Sequence, residues 1–597
     1  TVVVGIFAVL FLFYTNSFLV KRRKKEFGLY YILGMEKRHI SRVMLWETLY
    51  TAMLSLLLGI ACGILFSKLV FLGLLKILKM NVVIGVEISA FTLAETVGLF
   101  AVIFLLIFFN SVRLIYMPKT KWPLAVLGIV TLAGGYILAL KADNVMTGLN
   151  TFFVAVLLVI VGTFALFTAG SIAFLKMLQR NKRYYYKTNH FISISGMIYR
   201  MKQNAASLSL ICIMSTGVLL LISSTTSLYV GQEHSLYLRY PKEFKLSLSL
   251  GEVPDDSKTF EKELKEIGTY AEDYLKDNKI ATQNAAGQTV IEAAALQKDG
   301  NVQITSSRNG SSEDFSDLCM VQAITLEDYN REAKKDETLE DREALVFFED
   351  SPIQQETFSI NDMHWKVRQL SADSTMEDSG LKFYVTPVYR IVVKDFAQLQ
   401  EIWKINKEAY GDHASQVKYE YSFDLSEEKI QKLEKSLNAY LGEQKNAPHA
   451  FFYGIETRTE GRAEFYSLYG GLFFLGIFLG LLFVMATVLI IYYKQISEGY
   501  EDKERFAILK KIGMERGEIN ASIRSQVLMV FFLPLAAAGI HSCFAFHLVK
   551  EILVGGFGLQ DVGLLVICAV LTFLAFAVFY VIVYLITARE YYKIVSE

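Results

Sequence analysis

Two stretches of this chain carry the same set of interacting side chains. KKEFGLYYILGMEKRHI occupies residues 24–40 and KERFAILKKIGMERGEI residues 503–519; aligned without a gap they share Lys24/Lys503, Phe27/Phe506, Gly34/Gly513, Met35/Met514, Glu36/Glu515 and Ile40/Ile519. On a helical wheel of about 100° per residue, Phe506, Ile508, Leu509 and Ile512 fall in one arc. Lys503, Glu504, Lys510 and Lys511 fall in the other, and Arg505 breaks the pattern. Phe27, Tyr30 and Leu33 hold the matching apolar positions of the first copy, and Gly34 or Gly513 follows where a C-cap glycine ends a helix. The chemistry on offer is recognition: an aromatic knob, a charged rim and a stop. Such a helix can lie among lipid headgroups, hold anionic lipid or dock a cytoplasmic partner. Its presence twice favours docking to a partner that is itself twofold.

Bond-making chemistry finds little footing. No G-x-x-x-x-G-K-[ST] loop occurs, and no Gly-Lys dipeptide at all, so nucleotide hydrolysis is left to another chain. G-x-S-x-G and HExxH are missing too. Cys62, Cys212, Cys543 and Cys568 lie in apolar segments and Cys319 stands alone in the polar block, which excludes a disulfide within that block and a clustered zinc pattern. His541 and His547 are six residues apart, off a common helix face, and read as packing or hydrogen-bonding groups. Lys68 and Glu95, near the ends of adjacent apolar segments, either pair across the bundle or snorkel to the interface. Arg113 reads as an anchor at an inner end.

The elements that position these residues are set by hydropathy. The chain has 597 residues, 53% of them hydrophobic, with a mean hydropathy of +0.34. Nine apolar segments are long enough to cross a bilayer core of roughly 30 Å, near 1–20, 43–72, 91–116, 123–140, 150–177, 205–230, 464–493, 522–548 and 561–588. Lys21, Arg22, Arg23, Lys24, Lys25, Lys119, Lys121, Arg180, Lys182, Arg183, Lys187, Lys503, Arg505, Lys510 and Lys511 occupy one alternate set of loops. That asymmetry places both repeated segments and Glu597 in the cytoplasm and Thr1 outside. A chain starting inside then has ten helices, one of them before Thr1. The expectation is a polytopic α-helical membrane protein with one large extracellular α+β domain: a membrane region at 1–230, the exterior block at 231–463 and a second membrane region at 464–597.

The zero formal net charge hides a division. Residues 231–463 hold 28 Lys and Arg against 43 Asp and Glu, a net of −15, which leaves +15 for the remainder. An acidic exterior attracts cations through a screened field and also aids solubility. Within the block, 261–277 and 425–441 have helical spacing, 382–394 reads as strand, and 299–317 as a loop carrying the acceptor triplet Asn309-Gly310-Ser311. The basic residues line the inner membrane face without interleaved aromatics, which argues against a nucleic-acid partner.

Glu26-Phe27-Gly28-Leu29 followed by Leu33-Gly34-Met35 resembles the coupling-helix signature of FtsX/MacB-like ABC transporter permeases. The second copy departs from it, since Glu504 stands one place early and Arg505 holds the Glu position; Phe506, Ala507, Ile508, Ile512, Gly513 and Met514 match. Ten helices with one exterior domain between the seventh and eighth resembles the BceB-type permeases of bacitracin-resistance transporters in Gram-positive bacteria. GMIYRMKQNAASLSL (196–210) and AGIHSCFAFH (538–547) add to the similarity. The resemblance implies a permease without cofactors of its own, coupled to a homodimeric ABC ATPase that binds ATP and Mg. It implies removal of cationic antimicrobial peptides, bacitracin and lantibiotics among them, from undecaprenyl-pyrophosphate or lipid II, and signalling to a sensor histidine kinase. Two other jobs fit such a chain: a lipid or lipoprotein extractor, and an FtsX-like regulator without transport.

Overall fold

The apolar runs fold as helices, and the two that flank the polar block outgrow a membrane. The computed structural model describes residues 37–78, 90–115, 123–142, 145–180, 188–298, 301–305, 318–348, 356–368, 387–444, 447–511, 516–559 and 561–596, with separate positions before residue 37. In chain order the first membrane region gives α1 (Lys37–Ile77), α2 (Ala90–Ile115), α3 (Pro123–Leu140), α4 (Val145–Ala165), a π-helical turn at Leu166–Gly170, α5 (Ser171–Arg180) and α6 (Thr188–Arg239). The second gives α11 (Arg458–Lys511), α12 (Arg516–Glu551), a π-helical turn at Ile552–Gly556 and α13 (Val562–Ser596). Among the described residues seven helices are long and apolar enough to span a bilayer, and α3 is a shorter apolar one. The segment expected at 1–20 is described only at separate helical positions.

α6 has 52 residues and α11 has 54. At about 1.5 Å per residue each is about 80 Å long, against an apolar bilayer core of about 30 Å. The two pack along each other because small residues line the seam: a methyl at Gly476 would collide with Thr225, and one at Gly480 would crowd Ile222. Around this pair Leu208, Met214, Phe483, Ile490, Phe531 and Tyr580 form a buried cluster drawn from α6, α11, α12 and α13. Outward-facing Leu57, Phe153, Leu571 and Val578 stay exposed, as lipid-facing side chains do.

Between α6 and α11 lies a mixed-sheet domain. Its elements are β1 (Phe244–Leu250), α7 (Ser257–Asp277), β2 (Gln283–Lys298), β3 (Asn301–Gln303), β4 (Leu318–Thr325), α8 (Leu326–Ala333), β5 (Glu343–Phe348), β6 (Thr357–Ile360), β7 (Met363–Arg368), β8 (Val388–Val393), α9 (Phe396–Tyr410), β9 (Lys418–Asp424), α10 (Glu427–Glu443) and β10 (Phe451–Thr457). The strand order is β10-β1-β9-β2-β3-β6-β7-β5-β8-β4, and β4 pairs back onto β2, so this part of the sheet closes on itself. Closure removes edges that would otherwise invite aggregation.

Helix starts follow local side chains: Asp256 accepts the Thr259 N–H at 2.9 Å, and Asp395 accepts the Gln398 N–H at 3.1 Å. Phe244, Leu246 and Leu248 of β1 meet Phe260, Leu264 and Ile267 of α7 and Leu433 and Leu437 of α10 in the core. β8, sandwiched between β5 and β4, is buried at every residue, Arg390 included, whose Nη2–H donates to Glu332 at 2.8 Å. The strand expected over 382–394 is thus shorter among the described residues. The loop expected at 299–317 contains a strand, β3, because Asn301–Gln303 completes a tight antiparallel return onto the end of β2. Asn309, Gly310 and Ser311 lie outside the described residues.

Candidate functional site

The two repeated segments end up at corresponding places in a structural repeat. The shift of 479 positions that superposes the motifs carries Lys37–Ile77 onto Arg516–Gly556, the span of α12 with its π-helical turn. Among the described residues each repeated segment is therefore followed by two helices, α1 and α2 after the first and α12 and α13 after the second.

In the first copy Glu26, Leu29 and Tyr30 are helical, and Leu29 and Glu26 are exposed. The Met35 N–H bonds to the Tyr30 carbonyl at 3.0 Å. A bond spanning five residues closes a Schellman-type helix end, and the accompanying apolar contact is present too: Tyr30 and Met35 both pack on Val20, Ile40 and Met44. Arg23 fixes the segment against α1, with Nε donating to Glu26 at 2.7 Å and Nη1 to both oxygens of Glu47 at 2.5 and 2.6 Å. Phe27, Gly28, Leu33 and Gly34 lie outside the described residues.

In the second copy Glu504, Phe506, Ala507 and Ile508 fall in the last turns of α11, where only the backbone is described; Ile512, Gly513 and Met514 lie outside the described residues. The segment is thus the end of the membrane helix itself, with no break before it. One feature of this end went unread in the sequence. Lys494, Glu498 and Asp502 follow one another at every fourth position and are 4–5% exposed. The Lys494 ammonium lies 3.8 Å from Glu498, and Asp502 accepts the Tyr591 hydroxyl of α13 at 2.6 Å. The spacing was visible in the sequence; the burial was not.

The opposite end of α11 is held by its first residue. Arg458, 5% exposed, donates Nε–H to the Tyr240 carbonyl at 2.7 Å, Nη1–H to the Glu243 carboxylate and Nη2–H to the Pro241 carbonyl. Its guanidinium stands 4.5 Å from the Tyr237 ring centroid. A planar five-donor fork suits this task in a way a lysine does not. The entry to the sheet domain from α6 and the exit into α11 are therefore fastened by one side chain.

His541 of α12 is a third junction. Thr163 donates its hydroxyl to the Val159 carbonyl at 2.6 Å, so toward His541 Nε2 at 3.0 Å it accepts. Nδ1 then accepts from the Tyr136 hydroxyl at 2.5 Å. Lys68 and Glu95 are both exposed and form no ion pair among the described residues. A cavity of about 880 Å³ between residues 12–23, α1 and α2 is lined by hydroxyls of Thr15, Thr48, Thr51 and Ser67. Each of these four hydroxyls bonds a carbonyl of its own helix, and the charged groups of the lining, Arg23 and Glu47, bond each other. Among the described residues no group of His, Cys, Asp and Glu could hold a metal ion.

Comparison with known proteins bears on this geometry. The FtsX-like permease C-terminal domain matches residues 1–118 and 474–595, each match containing one repeated segment. The ABC transporter permease YvcS of Bacillus subtilis is 25% identical to the chain, covering 100% of it and 90% of the relative. The permease YxdM and the bacitracin export permease BceB of the same organism are each 25% identical over 90% of this chain and 82% of theirs. Residues 1–118 and 474–595 thus match an FtsX-like permease domain, and along its length the chain is similar to ABC transporter permeases, the bacitracin export permease BceB among them, with several helices long and apolar enough to cross a membrane.

Proposed function

We propose that this chain is the permease of a transporter that frees cell-wall lipids from antimicrobial peptides, driven by a homodimeric ABC ATPase that binds ATP and Mg. The observation that carries this reading is α11, one unbroken helix from the second repeated segment to β10. Closure of a symmetric ATPase on two docking segments in the cytoplasm pulls on helices whose far ends are the sheet domain, a rigid-body transmission. In this reading residues 231–463 are extracellular and the C-terminus cytoplasmic, which the loop charges support. Coupling residues are Glu26, Phe27, Gly28, Leu29, Leu33, Gly34 and Met35 in one half and Glu504, Phe506, Ala507, Ile508, Ile512, Gly513 and Met514 in the other.

The cargo reading draws on the bacitracin export permeases among the relatives and on the net charge of −15 over 231–463. It is a cationic peptide held on undecaprenyl-pyrophosphate or lipid II, with a sensor histidine kinase receiving the signal of transporter work. The test is ATP hydrolysis by the permease reconstituted with its ATPase, with and without a wall-targeting peptide bound to its lipid. Stimulation by peptide and lipid together supports target protection; a rate blind to both sinks it.

A further inference from the structure

β10 is the one described strand hydrogen-bonded on a single side. The direction of its backbone groups follows from the register. Ala450 accepts the Gly251 N–H at 2.8 Å and Glu243 accepts the Arg458 N–H at 3.0 Å. In an antiparallel pair running Phe244↔Thr457 to Leu250↔Phe451, hydrogen-bonded positions alternate. Phe452, Gly454 and Glu456 therefore point their N–H and C=O groups at β1, while Phe451, Tyr453, Ile455 and Thr457 point theirs at the open side.

At Phe451 those groups are already met by an amide. Gln444, at the end of α10, donates Nε2–H to the Phe451 carbonyl at 2.7 Å and accepts its N–H on Oε1 at 3.4 Å, as a peptide unit of a neighbouring strand would. Tyr453 and Ile455 come next, and on the side away from β1 no described strand meets their backbone groups. The segment FFYGIET has no Pro, no Lys and no bulge, the devices by which an exposed edge is normally blunted. Phe452 is 67% exposed beside it.

We propose that this edge is a peptide-binding site, at which an extended cationic peptide adds as a further strand through main-chain bonds to Tyr453 and Ile455. The proposal rests on the peptide reading above and gives it a location. Charge selects the occupant: the domain carries a net −15, so a cationic chain is drawn to it, whereas a second copy of the same domain is repelled. Position gives the site its use. Thr457 is followed by Arg458, the clamp residue that opens α11, so a strand fixed at Ile455 bears directly on the helix that ends in the second docking segment.

The test uses the full-length permease in lipid nanodiscs and a linear decapeptide of alternating Lys and Val. Strand addition predicts at least tenfold slower hydrogen exchange at the Tyr453 and Ile455 amides, and loss of binding when the decapeptide is N-methylated at alternate residues in one register only. Ile455→Pro removes an N–H that faces away from β1, so the ladder survives, and affinity for the decapeptide falls at least tenfold while ATPase association is unchanged. Equal binding by wild type and I455P, or unaltered exchange at both amides with peptide bound, overturns the site and leaves the peptide reading standing. Failure of the wild type to bind the decapeptide overturns the site as well; failure also to respond to wall-targeting peptides on lipid takes the peptide reading with it. A dimer that I455P dissociates without peptide assigns the edge to a second copy and overturns the proposal.

Discussion

The Tyr136 hydroxyl and His541 Nδ1 meet at 2.5 Å across 405 positions of sequence, tying α3, which lies outside the matched permease domains, to α12, which lies within one. Interhelical hydrogen bonds in membranes are worth on average about 0.6 kcal/mol, but removing one partner leaves a buried acceptor unmet at about 1–3 kcal/mol. Tyr136→Phe is therefore expected to destabilise the protein by about 1 kcal/mol, and His541→Ala by more, since it takes the acceptor from the Tyr136 hydroxyl, removes the bond to Thr163 and leaves a cavity. Thermal unfolding in detergent measures both. Equal melting temperatures for wild type and Y136F would show that the contact carries no energy.

The docking reading predicts that Phe27→Asp and Phe506→Asp each reduce association with the ATPase while the chain still inserts. A charge in the apolar arc of an amphipathic helix removes the face it docks with. Co-purification from membranes decides the matter, and undiminished recovery of the ATPase with both variants would sink it.

Much of this architecture was legible because its signals are local. Hydropathy located the membrane helices and helical spacing found α7 and α10, whereas the ungapped repeat was legible as a pair of docking segments and not as part of a longer structural repeat. Closure of the sheet was not legible, because β3, β6 and β7 are short and the pairing of β4 with β2 joins strands separated by a loop whose length says nothing of register. The Arg458 clamp was hidden for a similar reason: its acceptors are two backbone carbonyls and a carboxylate more than 200 positions earlier. Lys494, Glu498 and Asp502 stood at helical spacing in plain view, but a charged ladder on a helix usually faces water, and only packing against α13 shows that this one does not.

Breaking the clamp should uncouple the two ends of the transporter. Arg458→Met takes the guanidinium from Glu243, which is 26% exposed, so the cost stays below the about 3–5 kcal/mol of a fully buried ion pair. The expected signature is faster hydrogen exchange over residues 240–243 and loss of the peptide response of ATP hydrolysis, with the basal rate retained. Arg458→Lys should restore only part of it, since one ammonium cannot reach two carbonyls and a carboxylate in fixed directions. A normal peptide response in R458M would mean that the joint is not where force passes.

The seam between α6 and α11 makes a graded prediction. Gly476 faces Thr225 so closely that a Cβ has no room. Gly476→Ala should cost less than Gly476→Leu, for which overpacking of about 1–3 kcal/mol is expected. Cysteine crosslinking between positions 222 and 480 would report the separation of the helices, and equal yields in wild type and G476L would contradict the close contact.

Asp328 supplies a pH dependence whose sign can be worked out. It is 7% exposed and accepts the Thr289 N–H at 2.7 Å and the Thr325 hydroxyl at 3.0 Å, beside the Arg331 guanidinium. Burial is the largest influence and raises its pKa above the ordinary 3.8, against the opposing pull of the Thr289 bond and the Arg331 charge. A carboxyl that holds its proton more tightly when folded contributes stability that is fully present below its unfolded pKa. That contribution is lost as pH rises through the folded pKa. The stability of wild type relative to Asp328→Asn should therefore fall as pH rises from 3.8 toward neutrality, with Trp365 and Trp403 fluorescence following unfolding of the domain. A relative stability that climbs over that range would mean that Arg331 outweighs burial, and that Asp328 acts as an anion in the fold.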